Sequence, residues 1–522
     1  MLRSAYRRLL HDGLMAHAEE RPHHPAVITG DERLSYAELA ARARRLARGL
    51  QALGVGRGDR VAIYLENSAT VVAALYAASL AGAAFMVVNP QTKADKLRYV
   101  LADAGASALL SDVRLAKTAV PVAAELDHLH TLVLDGDERA LAEYPGAVSL
   151  AALLAEHPPE PLPSGVIPLD VAALVYTSGS TGNPKGVMLS QQNMVFAQGS
   201  LVEYLRLSHD DRILNVLPLA FDYGLYQLMM AVHLSATLVL ETSFSFPAKV
   251  IQRVQEEQVS VFPGVPTVFA TLLSLHRENP VSMPSVRRFT NTAAHLPDEY
   301  VPGMLAMSPG ALIFRMYGLT ECKRVCYLEP ELVLDKPSSV GKAIPGTEVF
   351  VLDAEGDRVA PGVVGTLYVR GPHVMMGYWN LPEETSHMLK PGPNPGERML
   401  CTHDFFRVDE DGFLYFVGRS DDIIKSRGEK VSPVEVENVL ASIPGVREAA
   451  IVGVNDDLLG QAIRAFVVLD PGVVMTEREF RRACMARMEN YMVPRDVVFL
   501  AELPKTESGK VRRKSLVESS VE

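Results

Sequence analysis

Short apolar runs of strand length alternate with helix-length stretches through about the first 300 residues of this chain. The runs lie at 60–64, 108–110, 131–134 and 237–240, and the segment 36–53 has the apolar spacing of a helix. Alternation of strands with helices is typical of parallel sheets that are covered by helices. The first part of the chain is therefore predicted to be α/β.

The pattern changes near Val340. From 349 to 416, short strands are separated by Gly and Pro, which predicts antiparallel β structure. A charged stretch at 418–422 then precedes a tail, 423–522, that mixes helix and strand signals. Because 522 residues are too many for one hydrophobic core, we expect at least two domains, divided at the charged stretch.

The charge and the cysteine content exclude several classes of protein. Lys and Arg number 51 against 62 Asp and Glu, and the net charge of −11 is opposite to the basic surface that binds nucleic acid. The four cysteines form no CxxC pair and are too few for a disulfide framework. We therefore expect reduced thiols in a cytoplasmic protein.

The N-terminal residues lack the apolar core and the cleavage site of a signal peptide. The uncharged segment 71–88 is rich in Ala and becomes β-branched just before Asn89. We predict a buried helix followed by a buried strand here, rather than a membrane span.

The segment 171–187 predicts a phosphate-binding loop. A short apolar strand leads into TSGSTGNPKG, which combines glycines, hydroxyl side chains and a lysine. Uncovered backbone N–H groups, hydroxyl donors and an ammonium group are all suited to phosphate. The loop is not a Walker A motif, because Lys185 is followed by Gly186 rather than by Ser or Thr.

Three motifs that are weaker alone follow along the chain. Tyr, Thr and Glu within 316–321 are suited to stacking on a base, contacting a phosphate oxygen and holding Mg²⁺. Asp404 and Arg419 are suited to the hydroxyl groups of a ribose. The tail motif 503–511 carries Lys510, which by itself would be interpreted as a surface lysine.

In this order, YTSGSTGNPKG, YGLTE, the GR-x-D segment and PKTESGK resemble the motifs of acyl-adenylate-forming enzymes: acyl-CoA synthetases, luciferases and adenylation domains of non-ribosomal peptide synthetases. The resemblance covers nearly the whole chain. It implies a large N-terminal domain, 1–418, of two α/β sheets plus a β-barrel, a hinge at 419–421, and a small mobile α+β domain, 422–522. It also implies that a carboxylate attacks the α-phosphate of ATP and that a pantetheine thiol then displaces AMP.

The resemblance further implies roles for individual residues. Lys510 would neutralise charge on the α-phosphate, Thr320 would contact a phosphate oxygen, and Glu321 would hold Mg²⁺. Asp421 would be the hinge, and Gly428 would line the thiol tunnel after the C-terminal domain rotates. The residues implied for ATP are Thr177, Ser178, Gly179, Ser180, Thr181, Gly182, Lys185, Tyr317, Gly318, Asp404 and Arg419.

Three positions depart from the commonest pattern of that superfamily. The histidine that usually follows the phosphate loop is absent from 189–193. His403 replaces the glycine before Asp404, and 291–294 reads Asn-Thr-Ala-Ala where a Gly-Gly-Ala turn is usual. Only the last change touches the expected acyl pocket.

The acyl pocket is expected around 217–225. Amino-acid-activating members use an Asp at the position of Asp222 to bind the substrate's α-amino group. A buried carboxylate is costly without a cation, so Asp222 favours an amino or imino acid. The alternatives are that Asp222 pairs internally with Lys323 or Arg324, or that it is exposed. The implied substrate residues are Phe221, Asp222, Tyr223, Ala293 and Ala294.

FDYGLYQ and YGLTECKR also resemble stand-alone L-prolyl-AMP ligases, which serve natural-product pathways. The Phe-Asp-Tyr-Gly stretch is also similar to that of some acyl-CoA ligases of bacterial envelope biogenesis. Our first hypothesis is a ligase that uses ATP and Mg²⁺ to load L-proline onto a separate phosphopantetheinylated carrier protein. A separate carrier is expected because no carrier motif follows Lys510. The alternative is an acyl-CoA synthetase that joins a small or medium-chain acid to coenzyme A.

Overall fold

The computed structural model describes residues 7–163, 165–177, 183–419, 424–426, 429–456, 460–488, 492–506 and 511–518. Strands within these residues form sheets of 14, eight and five strands. The first group of helices and strands comprises α1 Leu10–Glu20, β1 Pro25–Thr29, β2 Glu32–Ser35, α2 Tyr36–Ala52, β3 Arg60–Tyr64, α3 Ala69–Ala81, β4 Ala84–Val88, α4 Ala94–Ala104, β5 Ala108–Asp112, α5 Ala116–Ala124, β6 Thr131–Asp135, α6 Glu138–Leu141, β7 Val148–Ser149 and α7 Leu150–Glu156.

The next group continues the alternation, and strands then predominate. The second group comprises β8 Val171–Thr177, β9 Lys185–Ser190, α8 Gln191–Tyr204, β10 Arg212–Asn215, α9 Asp222–Leu234, β11 Thr237–Leu240, α10 Pro247–Glu256, β12 Val261–Gly264, α11 Pro266–Glu278, β13 Arg288–Asn291, α12 Tyr300–Met307 and β14 Leu312–Tyr317. The third comprises β15 Cys326–Tyr327, a 3₁₀ turn at Pro330–Leu332, β16 Ser339–Ala343, β17 Glu348–Leu352, β18 Val364–Arg370, β19 Gly377–Tyr378, α13 Pro382–Met388, β20 Leu389–Pro391, β21 Arg398–Val408 and β22 Leu414–Arg419. The last comprises β23 Ile424–Ser426, β24 Glu429–Val431, α14 Pro433–Ala441, β25 Val446–Asp456, β26 Gly460–Leu469, α15 Glu477–Met485, β27 Asp496–Phe499 and α16 Arg513–Glu518.

Both large sheets have parallel centres, which confirms the α/β prediction. In the eight-stranded sheet, β3 to β7 run parallel, β4 also pairs with β8, and β9 and β19 add antiparallel pairs at one edge. In the larger sheet, β11, β10, β12, β13 and β14 are neighbours in that order, and each pair is parallel. The apolar runs at 60–64 and 237–240 are β3 and β11, and the helix predicted at 36–53 is α2.

The uncharged segment 71–88 folds as predicted, into most of α3 and then β4. The Ser68 hydroxyl accepts a hydrogen bond from the N–H of Val71 and caps the helix. The helix ends at Gly82, whose φ of +85° lies in the left-handed region that glycine tolerates. Every residue of α3 except Thr70 is buried, which explains the lack of charge. Within the described ranges, no helix combines the length and hydrophobicity that a membrane crossing needs.

The strands of the region 349–416 are antiparallel, as predicted. Strands β17, β18, β21, β22 and β16 pair in that order, and β20 pairs with β21. Strand β15 connects β16 to β14, so this region continues the parallel sheet at its edge. In the β21–β22 ladder, Asp404 lies directly opposite Arg419.

The C-terminal strands form a sheet of their own, in the order β24-β23-β26-β25 with β27 beside β26. Buried side chains of these strands, such as Ile451 and Val467, pack with Val436 of α14 and Phe480 of α15 in a cluster separate from the main core. The Ser432 hydroxyl donates to the carbonyl of Val417 in β22. This sheet therefore has its own core and contacts the end of the preceding region.

Candidate functional site

A cavity of about 1320 Å³ lies at the carboxyl ends of β13 and β14, where Asn291 and Tyr317 line it. Ligands of open α/β sheets bind at this end of the strands. Seven of the predicted site residues line the cavity: Phe221, Ala293, Ala294, Tyr317, Gly318, Asp404 and Arg419. The chain's tail contributes Leu503, Lys505, Thr506, Val511, Arg512 and Arg513.

Tyr317, Asp404 and Arg419 form one connected group in the cavity wall. The Tyr317 hydroxyl donates to Asp404 Oδ2, and Arg419 Nε lies 3.5 Å from Asp404 Oδ1. Burial, and then the Asp404 carboxylate, raise the pKa of Tyr317, so the phenol remains a donor. The Tyr317 ring also stacks near Phe416, with centroids 5.9 Å apart. The residues predicted to hold adenine and ribose are therefore adjacent.

Lys185 begins β9, directly opposite Thr177 at the end of β8. Its Nζ lies 2.5 Å from Glu384 Oε2, and the Lys185 side chain is only 15% exposed. The same Nζ lies 5.5 Å from the ring centroid of Tyr378. The Lys185 ammonium lowers the pKa of Glu384. The lysine predicted to bind phosphate thus has a carboxylate partner within the protein.

Glu321 is oriented by a tyrosine from β19. The Tyr378 hydroxyl donates to Glu321 Oε1 at 2.6 Å, and burial, followed by Glu321, raises the pKa of Tyr378. The described residues contain no group of three or more His, Cys, Asp or Glu able to hold a metal. Mg²⁺ commonly takes one or two carboxylates and completes its shell with water and substrate phosphates. A single positioned carboxylate therefore fits the predicted Mg²⁺ site.

Tyr378 and Glu384 are functional candidates that the sequence alone did not identify. Tyr378 is 57 positions from Glu321, and Glu384 is 199 positions from Lys185. The only signal in the sequence is the Gly-Tyr-Trp-Asn turn followed by Leu-Pro-Glu-Glu, which belongs to none of the four motifs.

Asp222 pairs internally, as one alternative anticipated, and its partner is Lys323. The Lys323 Nζ lies 3.2 Å from Asp222 Oδ2 and donates to the Asp222 carbonyl at 2.9 Å. The lysine side chain is 2% exposed, whereas that of Asp222 is 26% exposed. Burial lowers the pKa of Lys323 to about 7, and Asp222 opposes that shift. Arg324, the other candidate, instead donates to the Thr292 hydroxyl.

Two of the departures from the superfamily pattern lie at left-handed backbone positions. Ala293 has φ +76° and His403 has φ +55°, which are values that favour glycine. The backbone therefore follows the path of a glycine turn at both positions, although Ala293 and His403 stand there instead of glycine. At both positions the side chain costs about 1 kcal/mol of conformational strain.

Other predicted residues do not reach the cavity wall. Thr177, Lys185, Asp222, Tyr223, Thr320 and Glu321 are described but are not among the residues that line it. Tyr223 instead donates its hydroxyl to the Thr290 carbonyl. The predicted residues outside the described ranges are Ser178, Gly179, Ser180, Thr181, Gly182, Asp421, Gly428 and Lys510.

The tail that carries Lys510 approaches the cavity. Thr506 and Val511, which stand on either side of 507–510, both line it. The Lys505 Nζ pairs with Glu448 Oε2 at 2.7 Å, which fixes the start of this stretch to β25.

Two family models match the chain: AMP-binding enzyme over residues 14–379 and AMP-binding enzyme C-terminal domain over 435–510. A feruloyl-CoA synthase from Amycolatopsis sp is 34% identical over 496 residues, covering 95% of each chain. A linear gramicidin synthase chain from Brevibacillus parabrevis is 31% identical over 97% of this chain but only 10% of its own length. The crystal structure of the anthranilate CoA ligase AuaEII with anthranoyl-AMP superposes with a TM-score of 0.90, at 26% identity and 99% coverage of both chains.

Proposed function

The chain belongs to the AMP-binding enzymes and is an ATP-dependent, AMP-forming acid–thiol ligase, and we propose that it joins an aromatic carboxylic acid to coenzyme A. This proposal replaces L-proline and a carrier protein as the first hypothesis. The acyl-CoA synthetase that the sequence raised as the alternative is retained, and its acid is narrowed from a small or medium-chain acid to an aromatic one.

The pair between Asp222 and Lys323 carries the proposal. The case for an amino acid rested on a buried carboxylate that only a substrate ammonium group would satisfy. Lys323 supplies that cation from within the protein, through contacts to both the carboxylate and the carbonyl of Asp222. An acid without an amino group therefore leaves no unpaired charge at Asp222.

The relatives support an aromatic acid and coenzyme A. Feruloyl-CoA synthase and the anthranilate CoA ligase are both named for an aromatic acid and for this thiol. The cavity beside Phe221 is also lined by Pro266 and Ala270, which present apolar surface to a ring. The similarity to a gramicidin synthase keeps amino-acid activation as a second candidate.

We assign the half-reactions to the residues as follows. The ammonium of Lys185 and the loop after Thr177 bind the phosphates, and Lys510 neutralises charge on the α-phosphate as the acid attacks it. Tyr317 stacks on adenine while Asp404 and Arg419 hold the ribose. Glu321, oriented by Tyr378, would hold Mg²⁺, which supplies positive charge to the phosphates when bound.

We also propose that the chain divides at 419–421 into a large domain and a mobile C-terminal lid. The separate hydrophobic cluster of the C-terminal sheet supports this division. Rotation of the lid would withdraw Lys510 after adenylation and bring Gly428 towards the entering thiol. A polar contact such as the one between Ser432 and Val417 can break without exposing a shared core, as a moving lid requires.

The test is pyrophosphate release with ferulate, anthranilate, benzoate and L-proline, followed by thioester formation on coenzyme A and on a phosphopantetheinylated carrier protein. We expect at least one aromatic acid to exceed L-proline in kcat/KM and coenzyme A to be the better thiol. Higher kcat/KM with L-proline than with every aromatic acid would refute the aromatic proposal. Preference for the carrier would refute the choice of thiol alone.

A further inference from the structure

We propose that Glu384 is a positioning residue of the phosphate site, where its carboxylate competes with ATP and with pyrophosphate for the Lys185 ammonium. The inference rests on the proposed function, because that function assigns phosphate to Lys185. It adds a residue of α13 to the phosphate site and gives it a defined effect, which is to weaken the binding of both nucleotide and product.

The contact between the two side chains is close and unequal in exposure. Glu384 Oε2 accepts a hydrogen bond from Lys185 Nζ at 2.5 Å, and the two side chains form an ion pair. The lysine side chain is 15% exposed and the glutamate side chain 41%. A phosphate oxygen that takes the place of Glu384 leaves the carboxylate close to water, where its charge is solvated. The exchange therefore does not strand a buried charge.

Both partners are attached to the same pair of strands. Strand β19 pairs with β9, and Tyr378 lies opposite Val187, two residues after Lys185. The N–H of Tyr378 donates to Thr385 Oγ1 at 2.9 Å, and this hydroxyl donates to the Leu381 carbonyl at 2.8 Å. The start of α13 is thus fixed against β19. These contacts fix the backbone of Glu384 near β9, so its side chain reaches Lys185 from a defined position.

The surrounding charges explain why the competition matters. Tyr378 lies under the Lys185 ammonium and donates to Glu321, the predicted Mg²⁺ ligand. Glu321 accepts from the Tyr378 hydroxyl while Glu384 pairs with the lysine beside the same ring, so two carboxylates lie in this one small region. A triphosphate cannot approach Lys185 closely without repelling Glu384. Any free energy needed to break the ion pair is subtracted from the binding of ATP and of pyrophosphate alike.

Weaker pyrophosphate binding has a direct consequence for the reaction. Adenylation is reversible while pyrophosphate stays bound, because the product can attack the acyl-adenylate and re-form ATP. When Glu384 re-forms its ion pair with Lys185, pyrophosphate loses that contact and dissociates more readily. The same competition raises the ATP concentration needed to saturate the enzyme. A variant that removes it should therefore bind both ATP and pyrophosphate more tightly.

The experiment measures the binding of MgATP and of pyrophosphate by isothermal titration calorimetry, without any acid substrate. Glu384→Gln keeps the shape and an acceptor for Lys185 but removes the negative charge. The matched control is Glu383→Gln, since Glu383 is exposed on the same helix and has no ion pair among the described residues. We expect Glu384→Gln to lower both dissociation constants about two- to fivefold, the range for one partly exposed ion pair, and Glu383→Gln to leave them unchanged.

A double-mutant cycle separates competition from a general effect on the fold. In a Lys185→Met background, Glu384→Gln is expected to change both dissociation constants clearly less than in the unmodified protein, because only the repulsion between Glu384 and the phosphates remains once the ammonium is gone. Unchanged or weaker binding in Glu384→Gln, or equal effects with and without Lys185, would overturn the inference. Failure of the unmodified protein to bind MgATP would refute the proposed function itself, and failure of every acid in the pyrophosphate assay would refute only the choice of substrate.

Discussion

Gly318 and Lys323 approach so closely that a β-carbon on Gly318 would overlap the carbonyl oxygen of Lys323 and lie 2.9 Å from the Cα of Arg324. Gly318 follows Tyr317 in the cavity wall, and Lys323 pairs with Asp222, which follows the cavity-lining Phe221. The close approach joins a residue predicted to bind nucleotide to the partner of a residue predicted to bind the acid, through backbone atoms.

Gly318→Ala should therefore destabilise the fold. The obstructing atoms belong to the backbone and cannot rotate away, so we expect a loss of about 1–3 kcal/mol in the free energy of unfolding, as for other overpacked sites. Urea denaturation measures the loss. Gly199→Ala is the matched control, since a β-carbon there meets nothing within 4 Å. Equal stability of the two variants would contradict the close approach.

Asp222→Asn tests the internal ion pair. The substitution removes the countercharge that keeps the buried Lys323 protonated, so the amine loses either its partner or its proton, and we expect the free energy of unfolding to fall by about 1–3 kcal/mol. Lys323→Met in the same chain should recover most of this loss, because it removes the buried amine. A double-mutant cycle by urea denaturation gives the coupling, and a coupling near zero would show that the pair does not stabilise the fold.

Tyr378→Phe tests the orientation of Glu321. The phenylalanine keeps the ring but loses the hydrogen bond to Glu321 Oε1. Loss of a group that orients a metal ligand typically costs about 10- to 100-fold in metal affinity or activity. We expect the Mg²⁺ concentration for half-maximal pyrophosphate release to rise by about tenfold. An unchanged Mg²⁺ requirement would mean that Glu321 does not contact the metal.

His373→Phe tests the effect of pH on stability. Burial lowers the pKa of His373 to about 4 from an ordinary value near 6.5, so the fold favours the neutral ring. The stabilisation is complete above pH 6.5 and is lost as the pH falls towards 4, by up to about 3 kcal/mol. Phenylalanine retains the packing against Phe196 and cannot be protonated. Denaturation at pH 7 and pH 4.5 should show a smaller acid-induced loss in the variant than in the unmodified protein.

Lys510→Ala tests the division of roles between the half-reactions. We expect adenylation to slow by roughly 10²–10³-fold, the scale for one preorganised electrostatic group, while thioester formation from supplied acyl-adenylate survives. Pyrophosphate release and thioester formation are measured separately. An equal fall in both would contradict the assignment of Lys510 to the first step.

The sequence predicted the elements whose signal is local. The runs at 60–64 and 237–240 became β3 and β11 because a buried strand needs only a short uninterrupted apolar stretch. Asp404 and Arg419 were paired from their motifs, and the β21–β22 register places them opposite each other. These predictions required no knowledge of distant contacts.

The partner of Asp222 could not be chosen from the sequence. Lys323 and Arg324 are neighbours with the same charge, and their spacing from Asp222 gives no preference. The choice is made by the backbone, because Lys323 has a left-handed φ of +60°. That local turn gives the two side chains different partners, Asp222 for the lysine and Thr292 for Arg324. The backbone conformation at Lys323 therefore accompanies the choice between the two candidate partners of Asp222.

The large cavity has walls from two separately cored parts of the chain, the sheets that end at Arg419 and the tail around Thr506. A tight-binding small molecule that fills it must also hold these parts together. Its measured affinity then includes the free energy of their mutual approach, which no single wall contact determines. Two relatives with identical nucleotide contacts can consequently differ in inhibitor sensitivity through residues far from the inhibitor.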